Sequence, residues 1–281
     1  MGWKGNLRTI NAAINRAARE AEREEKRRQK AFALGEAEYE VSEFEDLIDR
    51  LTGLHRESFN VLDWEKLSTE PAPLYEPSFL DRILGRRAKK MADLKKRVED
   101  HEKIIAFAKR IINKDLLAYE ELIKKNDLFE AMEDLDIQTS LSFSSESVAH
   151  IRLDIQGEDI IPKEKKSLLQ SGKLSTKKMP KGEFYEYFQD HVCSVALSAA
   201  SEIFASLPDI EEVFVDVVNA MLNTATGHLE DTIILSVKIP RATLRKLNLS
   251  AVDASDCMQN FIHNMSFRKT KGFLGVQSLM L

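Results

Sequence analysis

Residues 136–155, DIQTSLSFSSESVAHIRLDI, mark the point at which the periodicity of the sequence changes from helix to strand. Apolar and polar side chains alternate over residues 137–143 and again over residues 148–155. Successive side chains of a strand point to opposite faces of a sheet, so this alternation predicts two strands. Residues 144–147 between them predict the connecting turn. The sequence therefore predicts a β-hairpin at the start of a domain that covers residues 136–281.

The sequence after this hairpin predicts the remaining helices and strands of one small domain. Pro162 opens a predicted lysine-rich helix that Gly172 closes, and residues 183–207 are apolar on nearly every side, which predicts a core helix. Two more strands and two short helices are predicted at residues 211–222, 231–239, 241–247 and 253–265. Paired strands with helices between them predict the α+β fold class, with helices on one face of a small antiparallel sheet.

The sequence before residue 130 predicts helices rather than strands. Residues 6–56 contain no proline and are rich in strong helix formers. Two segments repeat apolar residues at alternating steps of three and four, which is typical of the buried stripe of a coiled coil. The first stripe is Leu34, Ala37, Val41, Phe44, Ile48, Leu51 and His55, and the second is Met91, Leu94, Val98, His101, Ile105, Ala108 and Ile112.

A proline-rich link separates these two stripes. Pro71, Pro73 and Pro77 make residues 68–78 semi-rigid. Residues 36–76 carry three basic and twelve acidic side chains, whereas residues 77–114 carry twelve and five, so opposite charges would flank a shared seam. We therefore predict that residues 1–130 form a helical arm folded as an antiparallel coiled-coil hairpin. The alternative is that both helices belong to a larger bundle, which another subunit completes.

The net charge of the chain is small only because blocks of opposite charge cancel. Its 281 residues hold 41 lysines and arginines against 46 aspartates and glutamates, a net charge of −5. Residues 162–182 nevertheless hold seven basic and one acidic side chain, and residues 236–281 hold seven and two. Such blocks either pair inside a fold, which is the commoner outcome, or present basic surfaces to an anionic partner. Overall acidity therefore does not exclude a phosphate-bearing partner.

The apolar runs and the cysteines of the sequence indicate the cellular location of the protein. No stretch of eighteen uninterrupted apolar residues is present, so the sequence predicts no membrane-spanning helix. Residues 1–10 lack the apolar run of a signal peptide. Cys193 and Cys257 are the only cysteines, too few for a disulfide framework. These features predict a cytoplasmic protein without a membrane partner.

Two sequence features resemble ligand sites but lack required residues. The string SGKLST at residues 171–176 lacks the first glycine of a phosphate-binding P-loop and the hydroxyl residue directly after its lysine. His191 and Cys193 lie two residues apart on a predicted helix, so their side chains diverge instead of meeting at a zinc ion with Cys257 and His263. We therefore predict no metal ligand and no cofactor.

A third feature resembles the site of a magnesium-dependent nuclease. Asp216 and Lys238 stand on neighbouring predicted strands, but Ser236 occupies the position of the second carboxylate. With the turn centred near Gly227, Asp216 is expected opposite Ser236 and diagonal to Lys238, which an ordinary cross-strand ion pair explains. We therefore predict no catalytic residue, and the sequence favours a protein that is not an enzyme.

Positive charge is concentrated at two places that predict contact with the phosphates of a nucleic acid. Residues 163–181 form a basic loop, and residues 268–271 form a second cluster. The predicted contacts are Lys163, Lys165, Lys166, Lys173, Lys177, Lys178, Lys181, Arg268, Lys269 and Lys271. Phe184, Tyr185, Tyr187 and Phe188 follow the loop and offer rings for the stacking of bases.

Several strings of the C-terminal half resemble a family of bacterial hypothetical proteins. The strings are FYEYFQDHVCS (184–194), NAMLNTATGHLED (219–231), SVKIPRATLRKLN (236–248) and DASDCMQNFIHNM (253–265). That family pairs a charged, coiled-coil N-terminal half with such a C-terminal domain. The resemblance implies a bacterial, soluble protein whose C-terminal domain is the defining unit, and it attaches no reaction or ligand to any residue.

Two heptad stripes without an intact catalytic constellation predict a non-enzymatic interaction or assembly protein. Its helical arm is expected to mediate self-association or docking on a partner protein, and its α+β domain is expected to bind a macromolecular partner. A second hypothesis is a nucleic-acid-binding or nucleic-acid-acting component of bacterial antiviral defence, which uses the basic loop at residues 163–181. A third makes the chain a structural subunit whose sheet edge pairs with another chain.

Overall fold

The computed structural model describes residues 3–74, 87–125, 128–155 and 157–280, and only the backbone of residues 3–21, 87–90 and 125. The helices, in chain order, are α1 (Trp3–Gly53), α2 (Trp64–Thr69), α3 (Arg87–Ile112), α4 (Leu116–Lys125), α5 (Glu130–Glu133), α6 (Lys181–Ser206), α7 (Arg241–Leu244) and α8 (Ala254–Cys257). The strands are β1 (Gln138–Ser145), β2 (Val148–Ile155), β3 (Glu164–Leu168), β4 (Leu174–Lys178), β5 (Glu212–Leu222), β6 (Leu229–Pro240), β7 (Ile262–Arg268) and β8 (Gly272–Leu274). The predicted α+β fold class is confirmed.

Six of the strands form one mixed sheet in the order β1-β2-β5-β6-β7-β8, and β3 and β4 form a separate hairpin. Neighbouring strands of the six-stranded sheet are antiparallel, except that β2 and β5 run parallel. The two predicted hairpins, β1–β2 and β5–β6, are both present. The chain between them contains α6, which returns along the sheet so that β5 starts at the same end as β2. Parallel neighbours need such a crossover. The predicted antiparallel sheet is therefore corrected to a mixed one.

α6 packs on one face of this sheet and forms the centre of the core. Inward-facing residues of β2 and β5 stand side by side in the parallel register, as at Ile151 beside Val215 and Leu153 beside Val217, and all four are fully buried. Residues 191–200 of α6 are buried without a break, because the sheet covers one side of the helix and α1 crosses the other. The prediction of a core helix is confirmed.

The first predicted heptad stripe is buried, but not in a coiled coil. Ala37, Phe44, Ile48 and Leu51 are buried where the second half of α1 lies against α6 and the β3–β4 hairpin. In the described residues α3 packs mainly on α2 and α4 rather than along α1. The structure therefore does not show the predicted hairpin of two long helices. The physical reason is that α6 offers α1 an apolar flank, and a heptad stripe specifies the buried side of a helix without specifying its cover.

The second predicted stripe, on α3, is only partly covered. Ala108 is fully buried, whereas Met91 is half exposed. Near Ala108 the ring of Trp64 from α2 packs edge-on against Phe107, with 6.0 Å between the ring centres. The ring nitrogen Nε2 of His101 lies 3.0 Å from a backbone carbonyl in the link that follows α2. α2 and this link therefore replace the long helix that was expected to cover α3.

Two segments predicted to be helices form strands over part or most of their length. The lysine-rich segment after Pro162 forms β3 and β4, which are joined by a turn in which Gly172 has a φ of +76°. The segment that ends at Met265 begins as the short helix α8, capped by the Asp253 side chain, and continues as β7. Lysine favours helices in isolation, but pairing between strands and burial of side chains such as Ser175 override that weak preference.

A single hydrophobic cluster of the described residues extends from Phe44 of α1 to Phe273 of β8. The predicted division of the chain between residues 130 and 136 stays a prediction. No helix in the described ranges is long and apolar enough to cross a membrane.

Candidate functional site

The part of α1 before Leu34 is exposed at every described side chain, from residue 22 to residue 33. From here on, the arm means residues 22–33 alone, a much shorter segment than the helical arm predicted for residues 1–130. Pairs one helical turn apart lie along it, with Lys26 donating to Glu22 (2.5 Å). Such exposed pairs add little stability, because water screens them. The arm also exposes 69% of the Phe32 side chain. The arm is thus a solvated extension of a helix that buries one apolar stripe further along.

A groove of about 1130 Å³ lies where the arm meets the β3–β4 hairpin. Residues 30–40 of α1 form one wall, and the turn at residues 171–174 forms the other. A Cβ atom at Gly172 would stand only 2.9 Å from the Cδ1 atom of Leu34. The turn therefore requires glycine for two reasons: glycine adopts the positive φ easily, and its lack of a Cβ atom leaves room for the Leu34 side chain.

Four of the ten predicted phosphate contacts are paired with carboxylates of the same chain. The pairs are Lys163–Asp159 (2.7 Å), Lys165–Glu183 (2.5 Å), Lys269–Glu186 (3.0 Å) and Lys166–Glu40. For Lys163, Lys165 and Lys166, the hydrogen bond to the carboxylate raises the lysine pKa. These four cations therefore have part of their charge neutralised inside the fold.

The other six predicted contacts are exposed and have no carboxylate partner in the part of the chain that the structure describes. They are Lys173, Lys177, Lys178, Lys181, Arg268 and Lys271. Their charge is therefore free to act on an external anion.

The two basic clusters, distant in sequence, meet at the first turns of α6. Lys177 stands opposite Lys165 in the β3–β4 hairpin, and Lys165 bonds to the first turn of α6. From the other side, the side chain of Lys269 in the β7–β8 turn comes within 3.4 Å of the position that a Cβ atom would take at Gly182. Lys181 is the first residue of α6, where the helix dipole adds partial positive charge. We call the region formed by residues 177–181 and 268–271 the basic surface.

The aromatic residues behind the basic surface are buried or half-buried. Phe188 is fully buried and packs edge-on against Phe273, with 5.6 Å between the ring centres. The Tyr185 ring covers Gly272, where a Cβ atom would stand 2.8 Å from it. The prediction that Phe188 stacks on bases is wrong, because no face of its ring reaches the surface. Phe184, Tyr185 and Tyr187 are half-buried, so the stacking of bases on these three rings stays a prediction.

The predicted register of β5 and β6 is confirmed, but the candidate nuclease pair does not form. Asp216 lies directly opposite Ser236. Lys238 bonds to Glu212 (2.8 Å) instead of Asp216, so the expected ion pair has a different partner. The Asp216 carboxylate accepts a hydrogen bond from the Ser278 hydroxyl (2.6 Å). Among the described residues, no three His, Cys, Asp or Glu side chains are grouped so that they could hold a metal ion.

The four residues weighed as zinc ligands are engaged separately. The Nδ1–H group of His191 donates to the carbonyl of Leu51 (2.9 Å), which ties α6 to α1, and burial lowers the pKa of this histidine. Cys193 and Cys257 are free and buried, and burial raises the pKa of both thiols. The ring of His263 bonds to a backbone carbonyl two residues away. The string SGKLST forms the turn and start of β4.

His55, predicted to be a polar residue of the buried stripe, links α1 to α6 and to the loop before α8. Its backbone N–H donates to the Ser194 hydroxyl (3.0 Å), and that hydroxyl donates to the ring nitrogen Nδ1 (2.9 Å). The Nε2–H group donates to the carbonyl of Val252 (3.2 Å). Burial lowers the pKa of His55, so the ring is neutral at pH 7. In the sequence, only the position of His55 in the apolar stripe indicated that its side chain is buried. Its hydrogen-bond partners could not be predicted, because they lie more than a hundred residues further along the chain.

Two further features have no counterpart among the predicted site residues. One is a groove beside the outer strand β1, whose walls come from α4, the following connection and β1 itself. The other is the half-buried Asp190 carboxyl, whose pKa burial raises to about 6. No local motif marks either feature, because each depends on residues that only the fold brings together.

Comparison with protein-family models, with curated proteins and with solved structures found no match to this chain. The resemblance to a bacterial family therefore stays a prediction, and the function is argued from the geometry of the described residues.

Proposed function

We propose that the protein is a non-enzymatic assembly protein whose arm pairs with the arm of a second copy, while its α+β domain binds a further macromolecular partner. The observation that carries the proposal is the exposure of every described side chain of the arm, in a helix whose second half buries one apolar stripe. Helices in proteins gain most of their stability by packing on other elements. The arm lacks such packing in the described chain, and a second copy would supply it.

The order of charges along the arm favours pairing with an identical arm in the antiparallel direction. Residues 22–25 carry three acidic and one basic side chain, whereas residues 26–30 carry four basic and no acidic side chains. When two copies cross antiparallel near residue 26, each acidic block faces the basic block of the other copy. A parallel pair would set like charges side by side. The expected dimer is therefore antiparallel and two-fold symmetric.

The residues that follow these charges offer apolar contact surface. Ala31 and Ala33 line the groove where the arm meets the β3–β4 hairpin. Phe32 is largely exposed next to them. Charge selects the alignment of the two arms, and these residues would supply buried apolar area.

Sedimentation of the full chain over a range of concentrations tests the proposal, because a dimer must form as concentration rises. Reversing the basic block is expected to weaken the dimer about tenfold or more, since two acidic arms then repel. That variant carries Arg27→Glu, Arg28→Glu and Lys30→Glu. A second variant that adds Glu22→Lys, Glu24→Lys and Glu25→Lys exchanges the two blocks and is expected to restore the dimer.

A matched control keeps the same change of net charge away from the arm. It carries Lys95→Glu, Lys96→Glu and Arg97→Glu on the exposed face of α3 and is expected to associate as the unchanged chain does. A monomer at every concentration would reject the proposal. Failure of the exchanged variant to associate, with its helix content intact by circular dichroism, would reject the antiparallel alignment.

We also propose a cytoplasmic location and a bacterial source. The support for the location is that Cys193 and Cys257 are both free and buried, which fits a reducing compartment. The support for the source is the resemblance of the C-terminal strings.

A second candidate function is contact with a nucleic acid through the basic surface, as a component of bacterial antiviral defence. The observation that favours it is that two basic clusters, distant in sequence, flank the start of α6, with six cations that lack carboxylate partners among the described residues. Each phosphate that such a cation neutralises releases a bound counterion. Contact through these charged side chains is expected to depend on salt and to be indifferent to base sequence.

A mobility shift with labelled single-stranded and duplex nucleic acid at rising salt tests this candidate. The triple variant Lys177→Glu, Lys178→Glu and Lys181→Glu is expected to weaken binding at least about tenfold and to flatten its salt dependence. The triple charge reversal on α3 is the matched control and is expected to bind as the unchanged chain does. Absence of binding at about 50 mM salt, where phosphate contacts are strong, would reject the candidate without affecting the proposed dimer.

A further inference from the structure

The outer edge of the six-stranded sheet is an unprotected strand. β1 occupies this edge, and within the described ranges no strand pairs with its outer side. Its sequence, QTSLSFSS, contains no proline and no charged residue. Sheet edges that avoid other chains usually carry such residues or are very short, as β8 is at the opposite edge. β1 is therefore open to pairing with an additional strand.

A groove of about 760 Å³ runs beside this open edge. Its walls are formed by α4, by the connection at residues 128–137 and by β1, and no residue of β2 lines it. Tyr119 of α4 packs edge-on against Phe143 on the inner face of β1, with 5.4 Å between the ring centres. An added strand would bond to the β1 backbone and direct alternate side chains towards Ile123 and Leu128 in the groove wall.

The polar groups of the groove indicate what kind of strand fits. Thr139 of β1 has a hydroxyl that is shielded from solvent and lacks a hydrogen-bond partner among the described residues, so an added chain would satisfy it. Among the side chains that the structure describes, Glu120 and Glu133 line the groove together with one basic residue, Lys124. Pairing of β1 with the β1 strand of a second copy would bring two acidic rims together, which is unfavourable. The excess of acidic groups favours a basic occupant.

We infer that β1 binds, by strand addition, an extended segment of another protein in which apolar residues alternate with basic ones. The inference rests on the proposed function and deepens it, because it names the class of partner for the α+β domain. Alternation suits the added strand because its apolar side chains would face the groove wall, whereas its basic side chains would continue the polar outer face at Ser140 and Ser142. The acidic groups of the groove would therefore attract those basic side chains at a distance, through the electrostatic field along the sheet edge, and not by direct contact. Backbone bonds would give the segment its affinity, and the acidic groups its charge preference.

Binding of the labelled peptide acetyl-KVKVKVKV-amide to the full chain, followed by fluorescence anisotropy, tests the inference. In a strand, the backbone N–H groups of alternate residues point to opposite edges, so only one of the two sets bonds to β1. N-methylation of that set is expected to weaken binding about tenfold or more, since each lost bond costs roughly 1 kcal/mol. N-methylation of the other set is expected to change affinity less than about threefold. The acidic peptide acetyl-EVEVEVEV-amide is expected to bind at least about tenfold more weakly.

Two variants of the protein test the groove itself. Glu120→Lys with Glu133→Lys is expected to weaken binding of the basic peptide about fivefold, whereas Glu99→Lys with Glu102→Lys on the exposed face of α3 is the matched control. The inference is overturned if the basic peptide does not bind at about 1 mM, or if both N-methylated peptides lose affinity equally. The peptide measurement does not depend on the oligomeric state, so it can fail while the arm still forms a dimer, and the reverse.

Discussion

Arg241 is the residue whose replacement we expect to destabilise the fold most. Only 4% of its surface is exposed, and each of its three guanidinium nitrogens donates to a different backbone carbonyl. The acceptors are Phe204 (2.9 Å), Leu207 (2.6 Å) and Ile210 (2.6 Å). The Phe204 carbonyl lies in the last turn of α6, where helix carbonyls lack partners within the helix. The guanidinium group thus closes the end of α6 and fixes the loop that leads into β5.

The expected loss follows from these contacts. Hydrogen bonds to charged groups are worth about 1.5 to 3 kcal/mol each, and the favourable interaction of a cation with a helix C-terminus adds to them. Burial of the guanidinium opposes this gain and lowers its pKa, although arginine stays protonated. We therefore expect Arg241→Ala to lower the free energy of unfolding by about 3 to 5 kcal/mol, because three buried carbonyls lose their donor. Arg241→Lys is expected to cost about 2 kcal/mol, since one ammonium group cannot reach all three acceptors.

Urea unfolding followed by circular dichroism measures both values. The exposed Arg245, one turn further along, provides the control, and Arg245→Ala is expected to change stability by less than about 0.5 kcal/mol. If Arg241→Ala and Arg245→Ala cost the same, the carbonyl contacts of Arg241 contribute nothing measurable and the reasoning is refuted. If Arg241→Ala does not fold, Arg241→Lys still gives a number to compare with the control.

Two other replacements test buried polar groups in α6. Ser194→Ala is expected to lower the free energy of unfolding by about 2 kcal/mol, because it removes the donor to the ring and the acceptor for the backbone N–H of His55. Ser198→Ala is its matched control and is expected to be nearly neutral in urea unfolding, since the buried Ser198 hydroxyl has no partner in the described chain; equal losses would contradict this account. Burial raises the pKa of Asp190 to about 6; a hydrogen bond with Ser255 opposes this shift, and the charges of Asp253 and Glu186 add to it. The folded state therefore keeps this proton at pH values at which the unfolded state has lost it, so stability falls as pH rises from about 4 through about 6. Asp190→Asn is therefore expected to gain about 1 to 2 kcal/mol relative to the unchanged chain between pH 4 and pH 7.5, and a difference that does not vary with pH would be inconsistent with the raised pKa.

The strands were predictable where one face is buried and the other is not. β2 alternates between buried and half-buried residues along its whole length, and the same alternation is visible in the sequence. The register of β5 against β6 was predictable as well, because Gly227 adopts a φ of +72° in the turn between them. A turn position and a period of two are both local properties, so they can be seen without knowledge of the fold.

The partners of the helices were not predictable by the same means. The stripe that contains Phe44 and Ile48 correctly marks the buried side of α1, yet α6 covers it instead of the second heptad helix. Periodicity describes one helix at a time, and any apolar surface of matching shape can cover it. The parallel pairing of β2 with β5 was not predicted, for a related reason. Two predicted hairpins fit an antiparallel sheet and a mixed sheet equally well until the path of α6 is known.

The candidate sites were predictable only as clusters of charge. The sequence shows that residues 163–181 are basic, but not that Lys165 and Lys166 bond to carboxylates while Lys177 does not. Such pairing depends on contacts between residues far apart in the chain, as with Lys166 and Glu40. The groove beside β1 was not predicted, because its walls come from separate elements that only the fold brings together. No sequence motif identifies such a groove.

The cancellation of charge along the chain also determines which cations remain for a partner. The β3–β4 hairpin lies between α1 and α6, where Lys166 bonds to Glu40 and Lys165 bonds to the first turn of α6. Both bonds are partly shielded by protein, whereas Lys177 and Lys178 are exposed to solvent. Salt screens charges in solvent more strongly than shielded pairs. An anion held by the open lysines should therefore be released at salt concentrations at which the hairpin stays bound to α1 and α6.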